Sequence, residues 1–148
     1  MRRNIILRVL IFTALPAILF AGAANASGLD LAQVAGKPKP AVEKVLGKAD
    51  SCGTVSPSKV GKVPKCVFQG GKVEIVFIDG KADWITVYAP GVRFDQDAIA
   101  ALGLAARKPD FSNAFTMRWK GIGGYREVAA FPGAGNEVDY LYVRAVTD

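Results

Sequence analysis

Two cysteines, Cys52 and Cys66, carry the most definite covalent chemistry in this chain. In an oxidising compartment an even pair of cysteines predicts a disulfide. A bridge that closes a loop of about 15 residues stabilises a small domain by roughly 3 kcal/mol in the chain-entropy model. A redox-active pair is the alternative, although such pairs usually have the spacing Cys-x-x-Cys.

Histidine is absent from the whole sequence. Its absence removes Ser-His-Asp and Cys-His nucleophilic catalysis together with the commonest metal ligand. A zinc site is not expected either, because two bridged cysteines cannot supply four ligands. A Ser–Lys dyad stays open, since serines and lysines share the segment between the cysteines. We therefore predict a protein that is not an enzyme and that uses no metal and no cofactor.

Carboxylates are the remaining candidates for catalysis or for metal binding. Two facing acids could hydrolyse a glycosidic bond, and a cluster of acids could hold calcium. The spacing at the turns does not match a dedicated calcium loop, so solvated turns are favoured. A small carboxylate-dependent hydrolase remains an alternative function. The acids available for it are Glu74, Asp79, Asp83, Glu127, Glu137 and Asp139.

The N-terminus has the pattern of a secretory signal. Met1 to Arg8 contains three arginines and no acid, and Val9 to Phe20 is apolar apart from Thr13. Alanines then occupy both small positions that precede cleavage after Ala26. The sequence predicts a signal peptide over residues 1–26, a mature chain starting at Ser27, and a periplasmic or secreted location. An uncleaved anchor is the alternative, but a spanning helix needs about 20 apolar residues.

Removing the predicted signal changes the charge balance. The segment holds three of the 19 basic residues and none of the 13 acids, so the mature chain carries 16 minus 13, or +3. Its 122 residues (148 minus 26) suit a single domain. Between Lys37 and Lys65 lysines outnumber acids. This stretch could contact an anionic envelope surface, or it could be an ordinary solvated surface. We expect no nucleic-acid partner.

Helix and strand signals follow in a fixed order. Pro38 and Pro40 favour a helix start, Val42 to Leu46 has helical apolar spacing, and Gly47 ends the helix. The segment between the cysteines shows no periodicity and predicts a loop. Glycine-rich turns then separate short alternating runs that predict hairpin strands. These strands are Cys66 to Gln69, Lys72 to Ile78 and Trp84 to Tyr88.

The same order recurs in the second half of the chain. A short helix over Ala98 to Leu102 again ends in Leu-Gly, and three strands follow. The fold class predicted is α+β: two helix-then-three-strand units, at about residues 36–89 and 94–146, form one largely antiparallel sheet with helices on one face. The second set of strands is Ala114 to Lys120, Tyr125 to Phe131 and Val138 to Arg144.

A family resemblance rests on the helix Val42 to Gly47, the cysteines Cys52 and Cys66, and the hairpin strands Val73 to Tyr88. This pattern resembles the beta-lactamase inhibitor protein fold and the related small outer-membrane assembly lipoproteins. The resemblance implies tandem units that form one curved sheet, whose concave face grips an enzyme.

Side-chain alternation predicts which sheet face meets a partner. Phe115, Met117 and Trp119 should point to the helices, so their neighbours point outward. A one-residue slip would reverse every such assignment. The sequence thus predicts an exported module that binds another exported or envelope protein; a structural envelope protein without a discrete site is a further alternative. The predicted partner-binding residues are Trp84, Tyr88, Arg118, Lys120, Tyr140 and Tyr142.

Overall fold

A computed structural model describes residues 29–89 and 91–145. Within these ranges, eight strands form one antiparallel sheet. The predicted signal peptide and Ser27 lie outside the described residues. The strands are β1 (Ser51–Val55), β2 (Val63–Phe68), β3 (Val73–Ile78), β4 (Lys81–Tyr88), β5 (Phe111–Asn113), β6 (Thr116–Lys120), β7 (Glu127–Pro132) and β8 (Val138–Arg144). The helices are α1 (Leu31–Val34) and α2 (Lys39–Leu46), with short 3-10 helices at Ala98–Leu102, Ile122–Gly124 and Ala134–Asn136.

The strand order is β1-β2-β3-β4-β8-β7-β6-β5. Each half of the chain forms a meander of four strands, in which every strand pairs with its chain neighbour. The two meanders meet where β4 pairs antiparallel with β8, with Ile85 opposite Val143 and Thr86 opposite Tyr142. The last strand of each half therefore lies at the centre of the sheet.

The predicted fold class is wrong in two respects. The described residues form a mostly β structure with two short α-helices, so the α+β assignment overstates the helical part. Each half also contributes four strands to the sheet, where three were predicted. The second predicted helix is a 3-10 helix at Ala98–Leu102, which ends at Gly103 in a left-handed conformation.

Both strands that the sequence prediction missed are edge strands. The sequence predicts a loop between the cysteines where β1 lies, and a polar connection where β5 lies. An edge strand with solvent around it need not bury one face, so it shows no apolar alternation. All three residues of β5 and four of the five in β1 are exposed.

Helix α2 forms as its sequence predicts. Pro38 precedes its first turn, and Pro40 lies inside that turn, where a missing N–H costs nothing. Val42 and Leu46 are four residues apart and buried on the side that faces the sheet. Gly47 then ends the helix with φ of 86°, a value that favours glycine.

One hydrophobic core lies between the helical segments and one side of the sheet, which we term the inner face. Alternate residues of each central strand point into it, as in Val73, Ile75 and Phe77 of β3. Trp119 on β6 is the largest of the fully buried side chains. Its indole Nε1 donates a 2.7 Å hydrogen bond to the carbonyl oxygen of Arg107, which anchors the segment before β5.

Candidate functional site

The opposite side of the sheet, here the outer face, carries all six predicted partner-binding residues. Burial alternates along β4 and β8, with Ile85 and Leu141 buried and their neighbours less so. Met117 and Trp119 point to the core as predicted, but Phe115 does not, because it lies in the turn before β6 and is 77% exposed. The six residues nevertheless fall into three groups with different surroundings.

The first group is an aromatic row at one end of the outer face. Tyr88 pairs across the strands with Tyr140, which pairs in turn with Phe131. The rings of Phe131 and Tyr140 stack with centroids 4.6 Å apart, and those of Tyr88 and Tyr140 are tilted at 6.1 Å. Phe131 was not among the predicted site residues, although its alternation with Glu127 and Ala129 along β7 could have revealed its direction.

The second group centres on Trp84 and Tyr142. Trp84 lies opposite Arg144 in the register of β4 and β8, and the guanidinium carbon lies 5.9 Å from the centroid of the indole ring. This cation–π contact joins the two side chains across β4 and β8. Among the described residues, the buried Nε1 of Trp84 and Nε of Arg144 have no hydrogen-bond partner. Both of these atoms are donors.

A hollow of about 370 Å³ lies beside Trp84 and Tyr142. Residues from β1, β2, β3, β4 and β8 line it on one side of the sheet. The residues that line it are Val55, Ser56, Pro57, Lys65, Glu74, Val76, Trp84, Thr86 and Tyr142.

The one cation and the one acid among the described residues that line the hollow are paired with each other. Lys65 and Glu74 form an ion pair across β2 and β3, leaving Val76, Trp84 and Tyr142 as its large uncharged surfaces. Such an aromatic and aliphatic floor with one ion pair at its side suits a protein side chain or loop better than a highly charged ligand.

The third group, Arg118 and Lys120, lies on β6 near the β5 edge of the sheet. Strands β7 and β8 separate these cations from Trp84 on β4. Along one row Lys120 faces Glu127, which in turn faces Arg144. The two predicted cations therefore belong to the same face as the hollow but not to its lining.

Burial raises the pKa of Tyr142 to about 12. The nearby Arg144 lowers this pKa, whereas Asp83 and Glu127 raise it further. Asp83 is buried, as expected for the strand neighbour of the outward-pointing Trp84, and it lies where the register of β3 with β4 shifts.

The raised pKa of Tyr142 makes the stability of the folded protein depend on pH in the alkaline range. The neutral phenol is favoured in the folded protein, so its stabilising effect is complete below the ordinary tyrosine pKa of about 10 and is lost as the pH rises to about 12. We expect the wild type to lose more stability over this range than Tyr142→Phe, which has no phenol to ionise. Denaturant unfolding at several alkaline pH values measures this difference. Equal losses in the two proteins would contradict the assignment.

Two of the acids considered for catalysis or calcium binding already have interaction partners. Glu74 is paired with Lys65, and Glu137 accepts a 3.2 Å hydrogen bond from the backbone N–H of Gly91. Across residues 29–89 and 91–145, no cluster of three acids or cysteines is suitably placed for a metal ion. Of the described residues that line the hollow, Glu74 is the only acid.

Cys52 and Cys66 form a disulfide, as predicted. They lie directly opposite each other on β1 and β2, so the bridge joins the edge strand to its neighbour. A disulfide of this kind is compatible with an extracellular or periplasmic protein, where oxidising conditions preserve it. In the described part of the chain, no helix has both the length and the apolar character needed to cross a membrane.

The lysine-rich stretch from Lys37 to Lys65 does not form one patch. Its first lysines lie around α2 on the helical side, and Lys65 points to the outer face. Lys39 pairs with Glu43 and Lys65 with Glu74. Contact of this stretch with an anionic envelope surface stays a prediction, and it would involve only part of the stretch at once.

No protein-family model matches this chain, and comparisons with curated proteins and with solved structures likewise find no match.

Proposed function

We propose that this chain is an exported protein-binding module that holds its partner on the outer face of the sheet. The observation that carries this proposal is the hollow of about 370 Å³ beside Trp84 and Tyr142. Trp and Tyr are enriched at the centres of protein interfaces, where a pocket receives an anchor side chain and surrounding contacts exclude water. The aromatic row of Tyr88, Tyr140 and Phe131 extends the same surface toward one end of the sheet.

Charges on the outer face indicate which kind of partner fits. The outward-pointing strand residues include five cations (Lys65, Lys81, Arg118, Lys120 and Arg144) and two acids (Glu74 and Glu127), so cations outnumber acids. A partner with an apolar side chain at its centre and acids at its rim would complement this surface. Another exported or envelope protein, for example an enzyme gripped as in the inhibitor fold that the sequence resembles, is the class we propose.

The periplasmic or secreted location of the protein is also part of this proposal. The predicted signal over residues 1–26 and the disulfide both favour a periplasmic or secreted location.

The hydrolase alternative receives less support from the site. Two-carboxylate hydrolysis needs two acids that face each other across a substrate. The described lining of the hollow offers Glu74 alone, and this carboxylate is paired with Lys65. We therefore favour binding over catalysis.

Site-specific photo-crosslinking would test the proposal. A photoreactive amino acid in place of Thr86, in the hollow, should capture a defined partner in the envelope, whereas the same group in place of Val45 on α2 should not. We expect Trp84→Ala and Tyr142→Ala each to reduce this capture at least tenfold, because loss of an interface hot spot costs 2 kcal/mol or more.

Melting temperature supplies the control for these variants. Trp84 and Tyr142 are only partly buried, so their replacement by alanine should change the melting temperature little compared with a core substitution. Equal crosslinking from positions 86 and 45, or capture that survives both alanine variants, would contradict the proposed function.

A further inference from the structure

The hairpin of β5 and β6 carries an unusual concentration of exposed apolar surface. Phe111 is 50% exposed and Phe115 is 77% exposed. Among the described residues, only Val45 and Tyr88 are also large, apolar and exposed, and neither belongs to this hairpin. Two exposed phenylalanines within five residues on an edge hairpin require an explanation, because isolated exposed residues are ordinary but grouped ones mark contact sites.

A fixed turn presents Phe115 to solvent. The side-chain Oδ1 of Asn113 accepts hydrogen bonds from the backbone N–H groups of Phe115, at 2.8 Å, and Thr116, at 2.9 Å. An asparagine that binds the backbone two and three residues ahead locks a tight turn. The phenyl ring therefore projects from a constrained hairpin tip.

Basic residues are concentrated in and just before this hairpin. Residues 107–120 contain four basic residues (Arg107, Lys108, Arg118 and Lys120) and one acid, a balance of +3. That acid, Asp110, is already engaged, because its Oδ2 accepts from Arg107 Nη2 at 3.0 Å and from the backbone N–H of Lys120 at 2.7 Å. Phe111 lies opposite Arg118 across the two strands.

A shallow hollow adjoins this surface. It has a volume of about 580 Å³, and it brings two cationic side chains beside an exposed ring. Its lining residues are Asp110, Phe111, Asn113, Thr116, Arg118 and Lys120. A phosphate group in the hollow would have Arg118, Lys120 and the Asn113 amide within reach of its oxygens.

We propose that the β5–β6 hairpin binds the surface of an anionic lipid bilayer, with Phe115 and Phe111 inserted among the lipids and Arg118 and Lys120 on the phosphates. The hairpin alone offers less surface than the roughly 1,000 Å² that a stable protein interface buries. A bilayer requires less, because a few inserted apolar side chains and a few cations suffice for reversible binding. This inference does not use the hollow beside Trp84, although Arg118 and Lys120 also belong to the outer face.

Vesicle co-sedimentation would test the inference. The exported protein should bind vesicles of equal parts phosphatidylglycerol and phosphatidylcholine, bind phosphatidylcholine vesicles weakly, and be released by high salt. We expect Arg118→Gln with Lys120→Gln to weaken binding about 30-fold, since each cation near an anionic surface contributes about fivefold. Phe111→Ser with Phe115→Ser should weaken binding to both kinds of vesicle.

Matched controls separate the hairpin from other contributions. Val45→Ser removes an exposed apolar side chain from α2 and should leave binding unchanged. All variants share the same N-terminal segment, so any contribution from it cancels. A second readout is Phe115→Trp, whose fluorescence should shift to the blue when anionic vesicles are added, because the new indole enters an apolar region.

Several outcomes would overturn the inference. Equal binding to neutral and anionic vesicles, or no loss on removing the two phenylalanines, would exclude a hairpin–lipid contact. Self-association of the wild type that disappears in Phe115→Ser, with no vesicle binding, would show that the exposed rings meet a second copy instead. Unchanged partner capture in Phe111→Ser with Phe115→Ser would leave the proposed function at Trp84 intact.

Discussion

Replacing Trp119 by alanine is expected to lower the free energy of unfolding by about 3–5 kcal/mol. This side chain is completely buried on the inner face of β6, so its removal leaves a large cavity in the core. The substitution also removes the Nε1 hydrogen bond to the carbonyl oxygen of Arg107. Equilibrium denaturant unfolding measures the change, and a melting temperature more than 10 °C lower should accompany it.

Two variants make this prediction specific. Trp119→Phe keeps an aromatic ring but lacks the N–H donor, so it should cost less than the alanine change. Trp84→Ala removes the other tryptophan of the chain, which lies on the outer face and is only partly buried. A larger loss of stability for Trp84→Ala than for Trp119→Ala would mean that the core lies on the opposite side of the sheet.

Removing the disulfide is the second change with a large expected effect. We expect replacement of Cys52 and Cys66 by serine to lower the free energy of unfolding by roughly 2–4 kcal/mol without unfolding the sheet. β1 is an edge strand paired only with β2, and the bridge fixes this pairing directly. The loss should therefore be accompanied by faster hydrogen exchange in β1, while β3 and β4 stay protected.

A control is needed at Cys66, which is buried, whereas Cys52 is exposed. Serine at position 66 would bury a hydroxyl group, so alanine at both positions separates that cost from the loss of the bridge. Thiol labelling of the denatured, unreduced protein provides an independent check. Two reactive thiols per chain would show that the bond does not form.

Alternation predicted the faces of the central strands but not the extent of the sheet. In β4 and β8 apolar residues alternate with aromatic or polar ones, and the structure places Ile85 and Val143 inward with Trp84 and Tyr142 outward. The edge strands escaped prediction because neither of their faces is buried. Alternation also misplaced Phe115, since Asn113 binds the backbone ahead of it and ends the strand in a turn.

The candidate site was only partly accessible from the sequence. The side-chain directions of its aromatic residues follow from local alternation, whereas the hollow needs residues from five strands to be brought together. The pairing of β4 with β8 brings Thr86 beside Tyr142, which are 56 positions apart in the chain, and no local pattern encodes this register. The Lys65–Glu74 pair is likewise set by the register of β2 with β3.

The central position of the β4–β8 pair has a kinetic consequence. Among the described strands, it is the one pairing between elements that are not neighbours in the chain, so both meanders can form from local hairpins before it closes. Closing a long loop has an entropic cost that grows with the length of the loop. The contacts between β4 and β8 offset that cost only once both strands are in register. The same pairing carries Trp84, Tyr142 and Arg144, so we expect the proposed partner site to be complete only after β4 and β8 have joined.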